Sequence, residues 1–233
     1  MNIHIDKDAY QACIRVAERL AALGQKGGTV ALSGGSTPRL LFRIMRGQGA
    51  ECWKNLKFFW GDERIVPAES PESNYGEFYR ELVAGGIIPA ENVFQAPYYP
   101  DTTQVLKETA LKIDQNVPQS NGLPRFDLVL LGIGEDGHTA SIFPDNLASF
   151  NADTALAIVQ HPVSGQKRIT LTGSAINNAA EVIFLCTGKS KSYILYQVIC
   201  NKDMRLPATH VMPVKGVLRW EMDEAAAENI NYI

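Results

Sequence analysis

The chain has 233 residues, 45% of them hydrophobic and 20% charged, with a formal net charge of −3. That balance suits an ordinary globular protein with one large or two small domains. It supplies neither the basic field that nucleic acid requires nor a polybasic run for an anionic membrane. Cys13, Cys52, Cys186 and Cys200 are scattered without C-x-x-C spacing, which argues against structural zinc and predicts buried free thiols in a reducing compartment. The N-terminal residues lack a cationic segment followed by an apolar core, and no apolar run approaches membrane-spanning length, so a cytoplasmic location is expected.

In chain order, a short first strand is followed by an amphipathic helix from Asp8 to Ala22, with Cys13, Val16, Ala17, Leu20 and Leu23 at helical spacing. The strand Thr29–Leu32 then runs into Ser33-Gly34-Gly35-Ser36-Thr37-Pro38 and a second helix. Thr37 is placed to cap that helix, and Pro38 to occupy its first position. A strand, a glycine turn and a helix present free N–H groups and hydroxyls at the positive end of a helix dipole, which suits a phosphate. The same pattern also describes a plain tight turn with a well-made cap, and the Walker A ending is absent.

The aromatic strand Leu56–Trp60 ends in Gly61-Asp62-Glu63-Arg64, where Asp62 and Glu63 read as a solvated loop and Arg64 as a candidate for bidentate phosphate recognition. A helix is expected over Tyr75–Leu82, a short strand near Val93 and a helix over Thr102–Gln115. The strand beginning at Phe126 follows, and then strands over Ala155–Gln160 and Arg168–Thr172. Next come a helix over Ser174–Ala180, the strand Val182–Cys186 and the glycine turn Thr187-Gly188-Lys189-Ser190-Lys191. The chain closes with a helix over Ser192–Ile199, a strand near Val217–Trp220 and a terminal helix from Asp223. Strand and helix alternate and no linker interrupts them. One α/β domain over residues 1–233 is expected, with a mainly parallel open sheet and helices on both faces.

The chemistry concentrates after the apolar run Phe126–Leu131, in Gly132-Ile133-Gly134-Glu135-Asp136-Gly137-His138. Open α/β sheets bind ligands outside the carboxyl ends of their strands. His138 is the candidate general base, and Asp136 a candidate to orient it, although residues two apart in a turn need not point together. The dinucleotide fingerprint Gly132-x-Gly134-x-x-Gly137 is disfavoured, because it sits in mid-chain and Pro144 would interrupt the helix it should open. His4, His161 and His210 have no such setting, and His161 precedes a proline.

Several segments occur together and in order: Leu32–Pro38, Asp62-Glu63-Arg64 with Val66-Pro67, Ser73-Asn74-Tyr75, and Gly132 through Pro144. They are followed by Arg168–Thr172, Gly188-x-x-Lys191 and Pro207-Ala208 through Trp220. Jointly they resemble the 6-phosphogluconolactonase family over nearly the whole chain. The resemblance implies the three-layer α/β fold of glucosamine-6-phosphate deaminase and ribose-5-phosphate isomerase. It further implies hydrolysis of a phosphosugar lactone, 6-phospho-D-glucono-1,5-lactone, without metal or cofactor. His138 is then the expected base. The phosphate is expected at Ser33, Gly34, Gly35, Ser36 and Thr37 and at Arg64, Arg168 and Lys191. Backbone N–H groups of the turn bearing Gly132, Gly134 and Gly137 are expected to meet the oxyanion. The deaminase branch typically continues its Asp-Gly-His motif with an acidic segment, where this chain has Ser141-Ile142-Phe143-Pro144. A non-catalytic sugar-phosphate sensor would keep the phosphate residues without needing His138.

Overall fold

Side chains alternate along each central strand and divide the interior in two. Residues 2–230 are described by the computed structural model. Its main sheet holds six strands, all parallel, in the order β1-β11-β10-β7-β2-β3. The elements are β1 (Asn2–Asp6), α1 (Ala9–Gly24), β2 (Gly28–Leu32), α2 (Ser36–Gln48), β3 (Leu56–Trp60), β4 (Asp62–Arg64), α3 (Asn74–Phe78) and α4 (Thr102–Asn116). A small hairpin, β5 (Gln119–Ser120) and β6 (Leu123–Pro124), leads to β7 (Leu128–Leu131), β8 (Leu156–Gln160), β9 (Lys167–Leu171), α5 (Gly173–Asn177), β10 (Glu181–Cys186), α6 (Ser192–Ile199) and β11 (Val217–Asp223).

Val30 and Leu32 of β2, Leu128 and Leu130 of β7, and Ile183 and Leu185 of β10 face one core, which α1 and α2 cover through Val16, Leu20, Leu41 and Phe42. Ala31, Val129, Leu131, Val182 and Phe184 point the other way, onto a second core shared with α4, α5, α6 and part of a second sheet. A sheet covered on both faces needs near-continuous apolar strands, and β7 and β10 supply them. Asp8 starts α1 by accepting the Gln11 N–H at 2.9 Å. The sheet order reverses between β2 and β7: the chain leaves β2 for β3 on one side and returns to β7 on the other. Their carboxyl ends therefore diverge into a crevice, the switch point where such sheets bind ligands.

The second sheet corrects the expected loop at Asp62-Glu63-Arg64. These residues form β4, antiparallel to β9, which pairs in turn with β8. Asp62 and Glu63 are buried. Gly61 joins the two sheets, its N–H donating to Leu32 O at 2.7 Å and its carbonyl accepting from Leu171 N–H at 2.8 Å. Helix α2 begins at Ser36 with Gly35, at φ 113°, as its cap residue. Thr37 makes no cap; its hydroxyl meets that of Thr187 at 2.8 Å, and Pro38 is the third helical residue, two positions deeper than expected. The helix expected over Tyr75–Leu82 starts at Asn74, capped by Ser73, and loosens into a π turn from Tyr79 to Val83. His210 lies in a 3₁₀ turn, Pro207–His210. Residues 224–230 are turns where a terminal helix was expected, and 231–233 lie outside the described residues. The stretch after Gly137 is likewise non-helical: an isolated Thr139–Ile142 bridge precedes 3₁₀ turns from Pro144 to Asn151.

No disulfide forms among the described cysteines. Cys13 and Cys186 are buried, and burial pushes both thiols up to about 12. Cys52 and Cys200 are only half-buried. Among the described residues, no helix is long and apolar enough to cross a membrane.

Candidate active site

Strand β7 ends at Leu131, and the following turn folds back on itself: Gly134 N–H donates to His138 O at 2.9 Å and Gly137 N–H to Gly134 O at 3.0 Å. Gly137, at φ 82°, supplies the left-handed conformation that lets the chain reverse. Gly134 is needed for a different reason. A Cβ there would stand under 3.0 Å from Nδ1 and Cε1 of His138 and from Oδ1 of Asp136. This close approach lets Asp136 Oδ1 accept both the His138 backbone N–H, at 3.1 Å, and the ring at Nδ1, at 2.6 Å. The pair that spacing alone left open is therefore in contact. With Nδ1 engaged, Nε2 is the nitrogen left for chemistry.

Partial burial alone would raise the Asp136 pKa, but the hydrogen bond and charge of His138 outweigh it and bring the carboxyl down to about 2. A carboxylate whose folded pKa lies below its usual 3.8 stabilises the fold above that value. The contribution is lost as pH falls through about 2. Asp136→Asn is therefore expected to lower the urea midpoint at pH 5 slightly, because an exposed pair contributes about 1 kcal/mol or less. The difference from wild type should close as pH falls from 4 towards 2. A difference that grows towards low pH would contradict this sign.

A cleft opens beside the pair, lined by Ser33, Gly34, Asp62, Arg64, Asn74, Gly132, Ile133, His138, Ala140 and Arg168. Arg64 and Arg168 are register partners across β4 and β9. Like charges directly opposite on a sheet are destabilising, so this placement calls for a function. Asp62 is the nearest counter-charge: its Oδ2 accepts from Ser141 Oγ at 2.6 Å and lies 3.9 Å from Arg168 Nη1. Burial lowers the Arg168 pKa, with Asp62 opposing, and the guanidinium keeps its charge at any physiological pH. Arg64 Nη1 donates to Asn74 Oδ1 at 2.6 Å and to Glu72 O at 2.7 Å. The buried Nε–H groups of both arginines have no acceptor among the described residues.

Glu63 anchors this arm from behind. It accepts the N–H groups of Arg64, Asn74 and Tyr75 and the Ser73 hydroxyl at 2.8–3.1 Å. Burial raises its pKa against those bonds. Gly34 completes the wall, since a Cβ there would collide with the Asn74 side chain. Among the described residues, the N–H groups of Gly34, Gly35, Ser36 and Thr37 donate to no protein acceptor; Gly34 and Gly35 lead into a 13-residue helix that Ser36 and Thr37 open. Free N–H groups at a helix start suit an anion, and of these four residues Gly34 lines the cleft.

Other expected residues are placed differently. The Ser33 hydroxyl donates to Leu130 O at 2.8 Å, so it ties β2 to β7. Lys191 is half-buried in the 3₁₀ turn Lys189–Lys191 after β10, on the same sheet edge but outside the cleft lining. The Thr37–Thr187 hydroxyl contact is what joins that turn to α2. The N–H groups of Gly134 and Gly137 are spent inside their own turn, whereas those of Gly132 and Ile133, two residues that line the cleft, have no protein acceptor among the described residues. Asp62, Asn74 and Ser141 were missed as site residues. Only the Ser73-Asn74-Tyr75 motif hinted at Asn74, and Asp62 was masked by its charged neighbours. A wider hollow of about 540 Å³ on the far side of α3, next to Tyr75 and Tyr79, contains no histidine–carboxylate pair.

The sequence profile described as glucosamine-6-phosphate isomerases/6-phosphogluconolactonase matches residues 6–220. The chain belongs to this family. A 6-phosphogluconolactonase from Haemophilus influenzae is 38% identical over 225 residues, covering 94% of this chain and 95% of that protein. A crystal structure of a devB protein superposes with TM-score 0.92 at 34% identity, covering 98% of this chain and 99% of that one. A monomeric glucosamine-6-phosphate deaminase has TM-score 0.78 at 16% identity over 98% of this chain and 100% of its own. It shares the family fold and supports the expected three-layer architecture.

Proposed function

We propose that the chain is a 6-phosphogluconolactonase, hydrolysing 6-phospho-D-glucono-1,5-lactone to 6-phosphogluconate in the pentose phosphate pathway. The observation that carries this reading is the Asp136–His138 pair, 2.6 Å apart, beside a cleft that His138 lines together with two opposed arginines. The 6-phosphogluconolactonase that matches nearly end to end supports it.

The substrate's phosphate lies against Arg64, Arg168 and the free N–H groups of Gly34 to Thr37, and this holds the lactone carbonyl carbon beside His138. His138 Nε2 takes a proton from water, and the water oxygen bonds to C1. Asp136 holds the ring and stabilises the imidazolium that forms. The N–H groups of Gly132 and Ile133 receive the oxyanion. Collapse breaks the bond from C1 to the ring oxygen, and His138 returns its proton to that oxygen. A six-membered lactone is already activated, so positioning, one base and an oxyanion site suffice.

The test is pH-stat hydrolysis of freshly prepared lactone, corrected for spontaneous opening, beside ammonia release from glucosamine 6-phosphate. Lactone turnover without ammonia release is expected; the opposite result would overturn the assignment in favour of the deaminase branch. In the same assay Arg64→Met should raise KM about ten- to a hundredfold, the value of a charge-assisted hydrogen bond, with a smaller effect on kcat. An unchanged KM would remove Arg64 from the phosphate site.

A further inference from the structure

Asp62 opens β4 as the register partner of Thr170, and its carbonyl accepts the Asn74 Nδ2–H at 2.9 Å. Its side chain, 9% exposed, is held through one oxygen. Oδ2 accepts the Ser141 hydroxyl at 2.6 Å, and Arg168 Nη1 donates to that hydroxyl oxygen at 3.4 Å. Ser141 is itself buried and fixed, its N–H donating to Thr170 Oγ1 at 3.2 Å. The chain reaches it through Ala140, whose φ of 49° lies in the left-handed region that non-glycine residues seldom adopt.

The second oxygen, Oδ1, accepts from no protein donor among the described residues. Unlike the Nε–H groups of the two arginines, it is not sealed from solvent, and the cleft is the hollow that Asp62 lines. Among the described residues that line the cleft, Asp62 is the only carboxylate. The other polar side chains there are donors or are already engaged. Arg64 and Arg168 can only donate, the Ser33 hydroxyl donates to Leu130 O, and Asn74 Oδ1 is taken by Arg64. A cleft built for a bare anion would carry donors alone, because a carboxylate repels such a ligand. What a carboxylate oxygen can receive is a hydroxyl proton, in a short charge-assisted bond.

We infer that Asp62 is a specificity-determining residue whose Oδ1 accepts a hydrogen bond from a ring hydroxyl of the phosphosugar lactone, at C2, C3 or C4. This rests on the lactonase reading above, which places the phosphate against the arginines and C1 beside His138, and so leaves the hydroxyl-bearing carbons in the cleft with Asp62. The carboxylate favours hydroxyl-bearing phosphates over simple anions, which gain no bond from it and are repelled.

The test compares kcat/KM for 6-phosphogluconolactone with its 2-, 3- and 4-deoxy analogues in wild type, Asp62→Ala and Asp62→Asn. The ratio of parent to deoxy substrate does not depend on how much of a variant is folded. In wild type it is expected to reach about ten- to a hundredfold at one ring position, the value of a charge-assisted hydrogen bond. At that position it should fall to about one in Asp62→Ala. It should fall several-fold in Asp62→Asn, which keeps an acceptor for Ser141 but loses the charge. A side chain that served only as counter-charge to Arg168 would slow the parent and all three analogues alike and leave every ratio unchanged. A wild type indifferent to all three deletions, or a ratio that survives either substitution, overturns this inference alone. A wild type without lactone turnover overturns the lactonase reading and this inference with it.

Discussion

Replacing His138 with alanine is expected to lower kcat by about 10²- to 10⁴-fold, the usual contribution of a positioned acid–base group. Phosphate recognition should survive, because Gly34, Arg64 and Arg168 line the cleft from other segments. Inhibition by inorganic phosphate should therefore be close to that of wild type while turnover collapses. The packing cost is small, since the ring is partly exposed and the turn is closed by backbone hydrogen bonds that alanine keeps. Near-normal turnover in this variant would sink the assignment of His138 as the base.

Gly134→Ala is expected to lower kcat by about 10²-fold although it removes no functional atom. Gly134 lies outside the left-handed region, so alanine adopts its backbone conformation without penalty, and its N–H still reaches His138 O. The added methyl would instead stand under 3.0 Å from the imidazole and from Asp136. The ring must move by about 1 Å, a displacement that costs about two orders of magnitude at a reacting centre. Measured stability should change much less than turnover. Equal activity in the two proteins would show that the ring does not react from the position described.

The two variants bracket what was legible in the sequence. Leu56–Trp60 and Ser192–Ile199 take the expected bounds because their apolar patterns are local and strong. The Asp136–His138 pair was readable as residue types, but its contact depends on the backbone reversal at Gly137 and the missing side chain at Gly134. Strand β4 was not legible. Asp62-Glu63-Arg64 has no apolar residue, and it becomes a strand only because Thr170, Ile169 and Arg168, about a hundred positions away, pair with it. Thr37 has the propensity of a cap, but its hydroxyl is captured by Thr187 from the end of β10, and Gly35 starts the helix instead. Long-range pairing settled each of these positions, which is the information a local pattern lacks.

The facing arginines of β4 and β9 also bear on the energetics of the whole protein. A sheet that sets Arg64 against Arg168 stores repulsion at the seam joining its two halves, and Asp62 offsets only part of it. A doubly charged phosphate bound as proposed would supply the counter-charge that the strand pairing lacks. Occupancy and folding are then linked by mass action: a ligand present at a hundred times its dissociation constant stabilises the native state by about 2.7 kcal/mol. On the proposed function, the substrate's phosphate would be a structural component of the smaller sheet, and ligand binding would raise resistance to unfolding through the contacts proposed to select the substrate.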